Sequence, residues 1–178
     1  MKKAATGCKL FYFADFGLRM DKCVGLWYNE KKITYREERR FMKVTVIDGQ
    51  GGQLGAQLVR EIRSQLPDIT LTAVGTNAAA TAAMLKAGAN QAATGENPVI
   101  VACRRADIII GPIGIVIADA MLGEVTPAIA AAVGQASAAR ILIPMNKCDT
   151  IVAGVSEQTT SALIDDVLRR LKIMTAEA

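Results

Sequence analysis

The chain has 178 residues, 51% of them hydrophobic and 21% charged, and no histidine. That length is one domain's worth of residues with enough apolar surface for a core, which excludes a wholly disordered chain. The missing histidine excludes a Ser-His-Asp or Cys-His triad, a His-ligated metal and a histidine proton shuttle.

The composition breaks near Met42. All eight aromatic residues, from Phe11 to Phe41, precede it, and the remaining 137 residues contain none. Residues 1–41 carry ten Lys/Arg and five Asp/Glu, a net of +5, whereas residues 42–178 carry eleven and twelve, a net of −1. The basic pI therefore belongs to the leader. The body has no basic stripe, so no nucleic acid partner is expected. Lys9 and Asp15 interrupt or flank the leader's one hydrophobic stretch, so neither a membrane span nor a signal peptide is expected. Two readings of residues 1–41 are open. One is a mis-called start, with translation beginning at Met42. The other is a basic, aromatic N-terminal extension that binds a partner or a membrane surface. A native peptide from residues 10–36, found by mass spectrometry, would exclude the first.

From Met42 onward, strands and helices alternate. Lys43–Ile47 reads as a buried strand. Leu54, Leu58, Ile62 and Leu66 recur every four residues and mark an amphipathic helix stopped by Pro67. Ile69–Val74 is the second strand. Asn77 is placed to cap a helix running to Lys86, with Gly88 at its C-terminal stop. Asn90–Thr94 reads as a short third strand. Asn97 and Pro98 offer a cap and a first-turn proline for a helix through Arg105, although Val99–Cys103 also reads as a strand. Asp107–Ile110 is the fourth strand, ended by Gly111-Pro112. Ile115–Leu122 and Thr126–Ala136 read as helices, the second capped by Thr126. Ile141–Ile143 is the fifth strand and Thr150–Val155 a sixth. Leu163, Val167, Leu168 and Leu171 mark a C-terminal helix.

Apolar strands alternating with helices imply an α/β, doubly wound, mainly parallel sheet of five to six strands, Rossmann-like and in a single domain over residues 42–178. Such folds bind ligands beyond the carboxyl ends of their strands, where strand order reverses. The loops there are Asp48–Gly55, Gly75–Asn77, Thr94–Asn97, Gly111–Gly114 and Asn146–Asp149.

The first loop carries most information. Asp48, Gly49, Gln50, Gly51, Gly52, Gln53, Leu54 and Gly55 contain G-x-x-G-x-x-G between a strand and a helix. Gly49 suits a sharp turn, Gly52 a close approach of backbone to phosphate, and Gly55 close packing of helix on strand. The helix N-terminus offers N–H groups and partial positive charge to an anion. The spacing resembles that of extended short-chain dehydrogenases and dihydrodipicolinate reductases. It differs from G-x-G-x-x-G, and it is not a P-loop, because no Gly-Lys-Ser/Thr follows. A phosphate-bearing ligand, NAD(P) or another nucleotide, is one reading; a tight turn that binds nothing is the other.

The second strand ends Val74-Gly75-Thr76-Asn77 without the acid that usually holds an adenosine ribose. Thr76 and Asn77 suit a ribose hydroxyl or a 2′-phosphate, and Asn77 equally suits a plain helix cap. Gly111, Pro112, Ile113 and Gly114 lie where the reactive part of a cofactor sits in dehydrogenases, or are turn punctuation. Asp48, Glu96, Asp119, Glu124, Lys147 and Cys148 are the rim residues with chemistry to offer, Asp48 foremost. The body has no tyrosine, which excludes the Tyr-x-x-x-Lys hydride-transfer route of short-chain dehydrogenases. No metal-ligand spacing is present, and the two body cysteines, Cys103 and Cys148, suit free thiols in a reducing cytoplasm. The alanine runs at 78–83, broken once by Thr81, and 128–132, broken once by Ile129, suit either a homo-oligomer interface or tight packing within the chain.

Four stretches taken together resemble one family: Val44–Gly52 (VTVIDGQGG), Ala73–Ala78 (AVGTNA), Lys86–Asn97 (KAGANQAATGEN) and Ala106–Val116 (ADIIIGPIGIV). The family is a set of short bacterial proteins, chiefly from Gram-positive anaerobes, known as a domain of unknown function. The resemblance covers about residues 42–172 and implies a Rossmann-like body. It implies no activity, so no functional residue is carried over. Two functions from different classes remain: a nucleotide-binding protein whose reaction is unassigned, and a non-enzymatic scaffold or partner subunit whose glycine turn is structural.

Overall fold

The first strand, β1 (Lys43–Asp48), is buried from Val44 onward, so both of its faces must be covered. Around it the computed structural model, which describes residues 42–145, 150–156 and 158–176, builds a five-stranded parallel sheet. In chain order there follow α1 (Gln53–Gln65), β2 (Thr70–Gly75), α2 (Ala78–Lys86), β3 (Gln91–Thr94), α3 (Glu96–Cys103), β4 (Ile108–Pro112), α4 (Pro127–Gln135), β5 (Ala139–Ile143) and α5 (Thr160–Ala176). A four-residue 3-10 turn, Ile113–Val116, follows β4.

The sheet order is β3-β2-β1-β4-β5, with β1 in the middle. Val44 pairs with Leu71 on one side and Ile108 on the other. Two cores result. On one face Val44, Val46, Leu71 and Ile110 pack against Leu58 and Ile62 of α1, Met84 of α2 and Leu168 and Leu171 of α5. On the other, Ile47, Val74 and Ile109 pack against Val99 and Cys103 of α3 and Ile129 and Val133 of α4. With no aromatic side chain among these residues, β-branched and leucine side chains fill the space.

Local signals end the helices where expected. The Asn77 side chain accepts from the Ala80 N–H at 2.9 Å and caps α2. Thr126 Oγ1 accepts from the Ile129 N–H at 3.2 Å and caps α4, with Pro127 following. Just past α1, the Arg63 guanidinium donates to the carbonyls of Pro67 and Ile69 in the turn that leads to β2.

Four expectations are corrected. Residues 115–122 form no α-helix: after the 3-10 turn the backbone is left-handed at Asp119, Met121 and Leu122. Ile113, Ile115, Val116 and Ile117 are β-branched and weak helix formers, and burying Ile115 and Val125 in one core requires the chain to turn back. Residues 150–155 form no sixth strand: Gly154 has φ +83° and Ile151 is 91% exposed, so nothing there adds to the sheet edge. Gly111-Pro112 does not end β4 but continues it, pairing with Leu142 and Ile143. A Cβ on Gly111 would stand 2.4 Å from the Ile47 carbonyl oxygen, so glycine is what permits that approach. Finally, α3 is a helix, as one of the two readings had it, but its cap is Gly95 at φ +102° rather than Asn97.

Candidate functional site

The chain runs outward from β1 through β2 to β3 and then crosses to β4 on the other side of β1. The reversal therefore lies between β1 and β4, the position at which doubly wound folds in general bind ligands. A cavity of about 220 Å³ opens there, lined by the loop Asp48–Leu54 and by Pro112, Gly114, Met121 and Met145.

Asp48 organises the loop. It is 5% exposed. Its Oδ1 accepts the Gly49 N–H at 2.8 Å and its Oδ2 the Gly55 N–H at 2.7 Å. Burial pushes its carboxyl above the ordinary value; the Gly55 and Gly49 N–H groups pull it down, and the Glu124 charge pushes it up again. The Gly52 N–H closes the turn on the Gly49 carbonyl at 2.9 Å, and the Ala56 N–H begins the helix on the Gly52 carbonyl at 2.9 Å. Gly55 is thus the third residue of α1 and gives its N–H to Asp48. The N–H groups of Gln53 and Leu54 find no acceptor among the described residues, and both residues line the cavity.

The glycines divide by what surrounds them. A Cβ on Gly55 would meet Met84 Sδ at 2.6 Å and Asp48 Cβ at 2.8 Å, so this glycine lets the helix pack close on the strand, as expected. The Gly52 backbone lines the cavity, but its Cβ direction does not face it. Its missing side chain points at α2, where a Cβ would stand 2.5 Å from Ala80 Cα, and its φ is +64°. The absent side chain of Gly52 therefore makes room for a helix, while its backbone borders the cavity. A Cβ on Gly49 would crowd Thr76 Oγ1 and Met121 Sδ, both at 2.7 Å, and Glu124 Oε2 at 2.9 Å. Of the glycines in this loop, Gly51 is the open one, with only Gln53 Cγ as near as 4.0 Å.

Thr76 and Asn77 are brought to the loop through Glu124. Glu124 Oε2 accepts from the Gln50 N–H at 2.8 Å, Thr76 Oγ1 at 2.5 Å and Asn77 Nδ2 at 2.9 Å. Asn77 Nδ2 also donates to the Gln50 carbonyl at 2.9 Å, so Asn77 is both cap and bridge. Burial raises the Glu124 carboxyl, but its hydrogen bonds from Thr76, Gln50 and Asn77 outweigh that and hold it below the ordinary value.

The other expected positions are dispersed. Ile113 is half-buried in the 3-10 turn and does not line the cavity. Gly111 lies within β4 beneath it. Glu96 accepts the Thr126 hydroxyl and ties the starts of α3 and α4 together. Asp119 is exposed on a turn, not inside a helix. Lys147, Cys148 and the loop 146–149 lie outside the described residues, as do residues 1–41. Sequence reasoning placed Glu124 on the rim but missed its bridge, whose bonds to Gln50, Thr76 and Asn77 join residues far apart in the chain. Met121 and Met145, as cavity walls, were missed altogether, because lone methionines carry no pattern.

A larger groove of about 870 Å³ lies between β5 and α5. Its cations are engaged: Arg169 and Arg170 bond Asp166, and Arg140 bonds the carbonyls of Ala136 and Ala138. Being off the strand ends, it is the weaker candidate despite its size.

The family model for a domain of unknown function (DUF3842) matches residues 43–176. The chain belongs to that family. The match spans the whole sheet and all five α-helices. None of the curated proteins matches the chain.

Proposed function

We propose that the protein binds a nucleotide, with a phosphate group on the N-terminus of α1. One observation carries the reading: the Gln53 and Leu54 N–H groups find no acceptor among the described residues and border a cavity at the reversal of strand order. A 13-residue helix behind them adds partial positive charge. The cavity is smaller than the roughly 300–1,000 Å³ of typical small-molecule sites, so it fits a phosphate group rather than a whole nucleotide. NAD(P) is one candidate, though β2 supplies no ribose-binding acid. No reaction is assigned. Cys103 is a buried free thiol, and burial pushes its pKa up, which agrees with an unreactive cysteine.

The test is a thermal-shift panel on the full chain with NAD, NADP, FAD, ATP, GTP, S-adenosylmethionine and coenzyme A. A ligand at about 100 times its Kd stabilises by roughly 2.7 kcal/mol. That corresponds to roughly 5–10 °C in a domain of this size. The matched control is Gly51→Asp, which puts a charge at the one open glycine of the loop without a steric clash. A shift from one nucleotide that is lost in a folded Gly51→Asp supports the site.

A second reading has its own support. Gly49, Gly52 and Gly55 are all explained by packing, and Asp48 and Glu124 already take three of the loop's N–H groups. On that reading the turn is structural and the protein is a scaffold or partner subunit. Silence across the panel would favour it.

A further inference from the structure

The turn from Asp119 to Glu124 lies over the side of the crevice where β1 and β2 end. Its backbone is left-handed at Asp119, Met121, Leu122 and Gly123. L-residues persist in that conformation only where their surroundings hold it. Leu122, at the tip, is 98% exposed, so its own side chain contributes no anchoring. The turn is bonded within itself: the Gly123 N–H reaches the Asp119 carbonyl at 3.1 Å, and the Glu124 N–H the Met121 carbonyl at 3.3 Å. Its base is held by backbone bonds, the Asp119 N–H to the Val125 carbonyl at 2.8 Å and the Ala120 N–H to the Ile117 carbonyl at 3.3 Å, and by burial of Ala120 and Met121; its side-chain tie across the crevice is the Glu124 carboxylate. One oxygen, Oε2, takes the Gln50 N–H, the Thr76 hydroxyl and the Asn77 amide from two different loops.

Three donors converging on one anionic oxygen make a receptor for a phosphate or carboxylate oxygen. Here the chain fills that receptor itself. It lies at the end of β2, the side where this fold usually seats an adenosine ribose. We propose that Glu124 is a built-in competitor: it clamps residues 119–124 across the β1–β2 end of the crevice, and a nucleotide extending to that side binds by displacing it. The cavity beside α1 needs no such displacement, so a lone phosphate ion enters it with the clamp closed. The ligand half of this inference rests on the nucleotide reading; the clamp half rests on geometry alone.

The population of the displaced state multiplies the apparent affinity, so a clamp open about a tenth of the time weakens binding about tenfold. The experiment uses the full chain, wild type, Glu124→Ala and Glu124→Gln. Amide hydrogen exchange is read at Gln50, with Ala56 as an internal standard. ADP and inorganic phosphate are titrated separately. The expected result is faster Gln50 exchange in Glu124→Ala with Ala56 unchanged, ADP bound about tenfold tighter or more, phosphate affinity the same within about twofold, and Glu124→Gln in between.

Unchanged exchange at Gln50 would overturn the clamp. Equal tightening of ADP and phosphate would also overturn it, because loss of a negative charge alone would then explain the gain. Faster exchange with unaltered ADP affinity would overturn the competition. If no chain binds ADP or phosphate while Gln50 exchange rises, the nucleotide reading fails, the competition with it, and the clamp stands.

Discussion

Replacing Gly52 by alanine tests whether the glycine loop is built around a helix or around a ligand. In the folded chain the new methyl would lie 2.5 Å from Ala80 Cα, 2.9 Å from its carbonyl oxygen and 3.0 Å from its Cβ. Backbone atoms of a packed helix cannot swing aside as a long side chain can, so α1 and α2 must separate. Overpacking of this kind costs about 1–3 kcal/mol. Residue 52 also sits at φ +64°, where an L-residue adds about 1–2 kcal/mol. The two effects together predict a loss of about 2–5 kcal/mol, a large part of the roughly 5–15 kcal/mol that holds a typical domain together. Gly51→Ala is the control one residue away. Its methyl meets only Gln53 Cγ at 4.0 Å, and its φ lies outside the left-handed region, so its stability should match the wild type or exceed it by up to about 1 kcal/mol. Urea unfolding followed by far-UV circular dichroism measures both. The expected pattern is a lower midpoint at unchanged m for Gly52→Ala, and no loss for Gly51→Ala. Equal stability of the two variants would refute the packing assignment of Gly52 and reopen its role in phosphate approach.

Two further outcomes follow from the same geometry. Glu124 titrates below its ordinary 4.5 in the folded chain, so its contribution is complete above that value and is lost as pH falls through the lower, folded value. Asp48 acts in the opposite sense, because its raised value means that ionisation above 3.8 is a burden to the fold. The difference in melting temperature between wild type and Glu124→Gln should therefore shrink as pH is lowered from 6 to 3, and a constant difference would contradict the assignment. Asn77→Ala and Thr126→Ala each remove a helix cap, at about 1 kcal/mol each. Asn77 also bridges the Gln50 carbonyl and Glu124, so Asn77→Ala should cost more than Thr126→Ala in denaturant titrations, and parity would mean that the bridge adds nothing to stability.

The sequence by itself determined the features that short-range chemistry governs. The four-residue recurrence from Leu54 to Leu66 marks α1 because those side chains share one helix face. Asn77 and Thr126 announce α2 and α4 because a cap acts within three residues of itself. The alternation of such segments with apolar strands was enough for a parallel, doubly wound sheet, and Gly55 between strand and helix was rightly read as a packing glycine. What only the tertiary structure decided depends on which segments meet. Residues 115–122 and 150–155 look regular locally, yet the first must turn back to bury Val125 and the second joins neither edge strand of the sheet. Gly52 looks like a phosphate glycine until α2 occupies the space beside it. Glu124 looks like one rim acid among several, and becomes the bridge of the site only because its turn crosses to Gln50, 74 residues away. Caps and hydrophobic periodicity are written within a helical turn of the residues they control, whereas a carboxylate's partners are set by the path of the whole chain. The candidate site is accordingly visible in the sequence as a loop, and only in the folded molecule as a donor set with its own acid already in place.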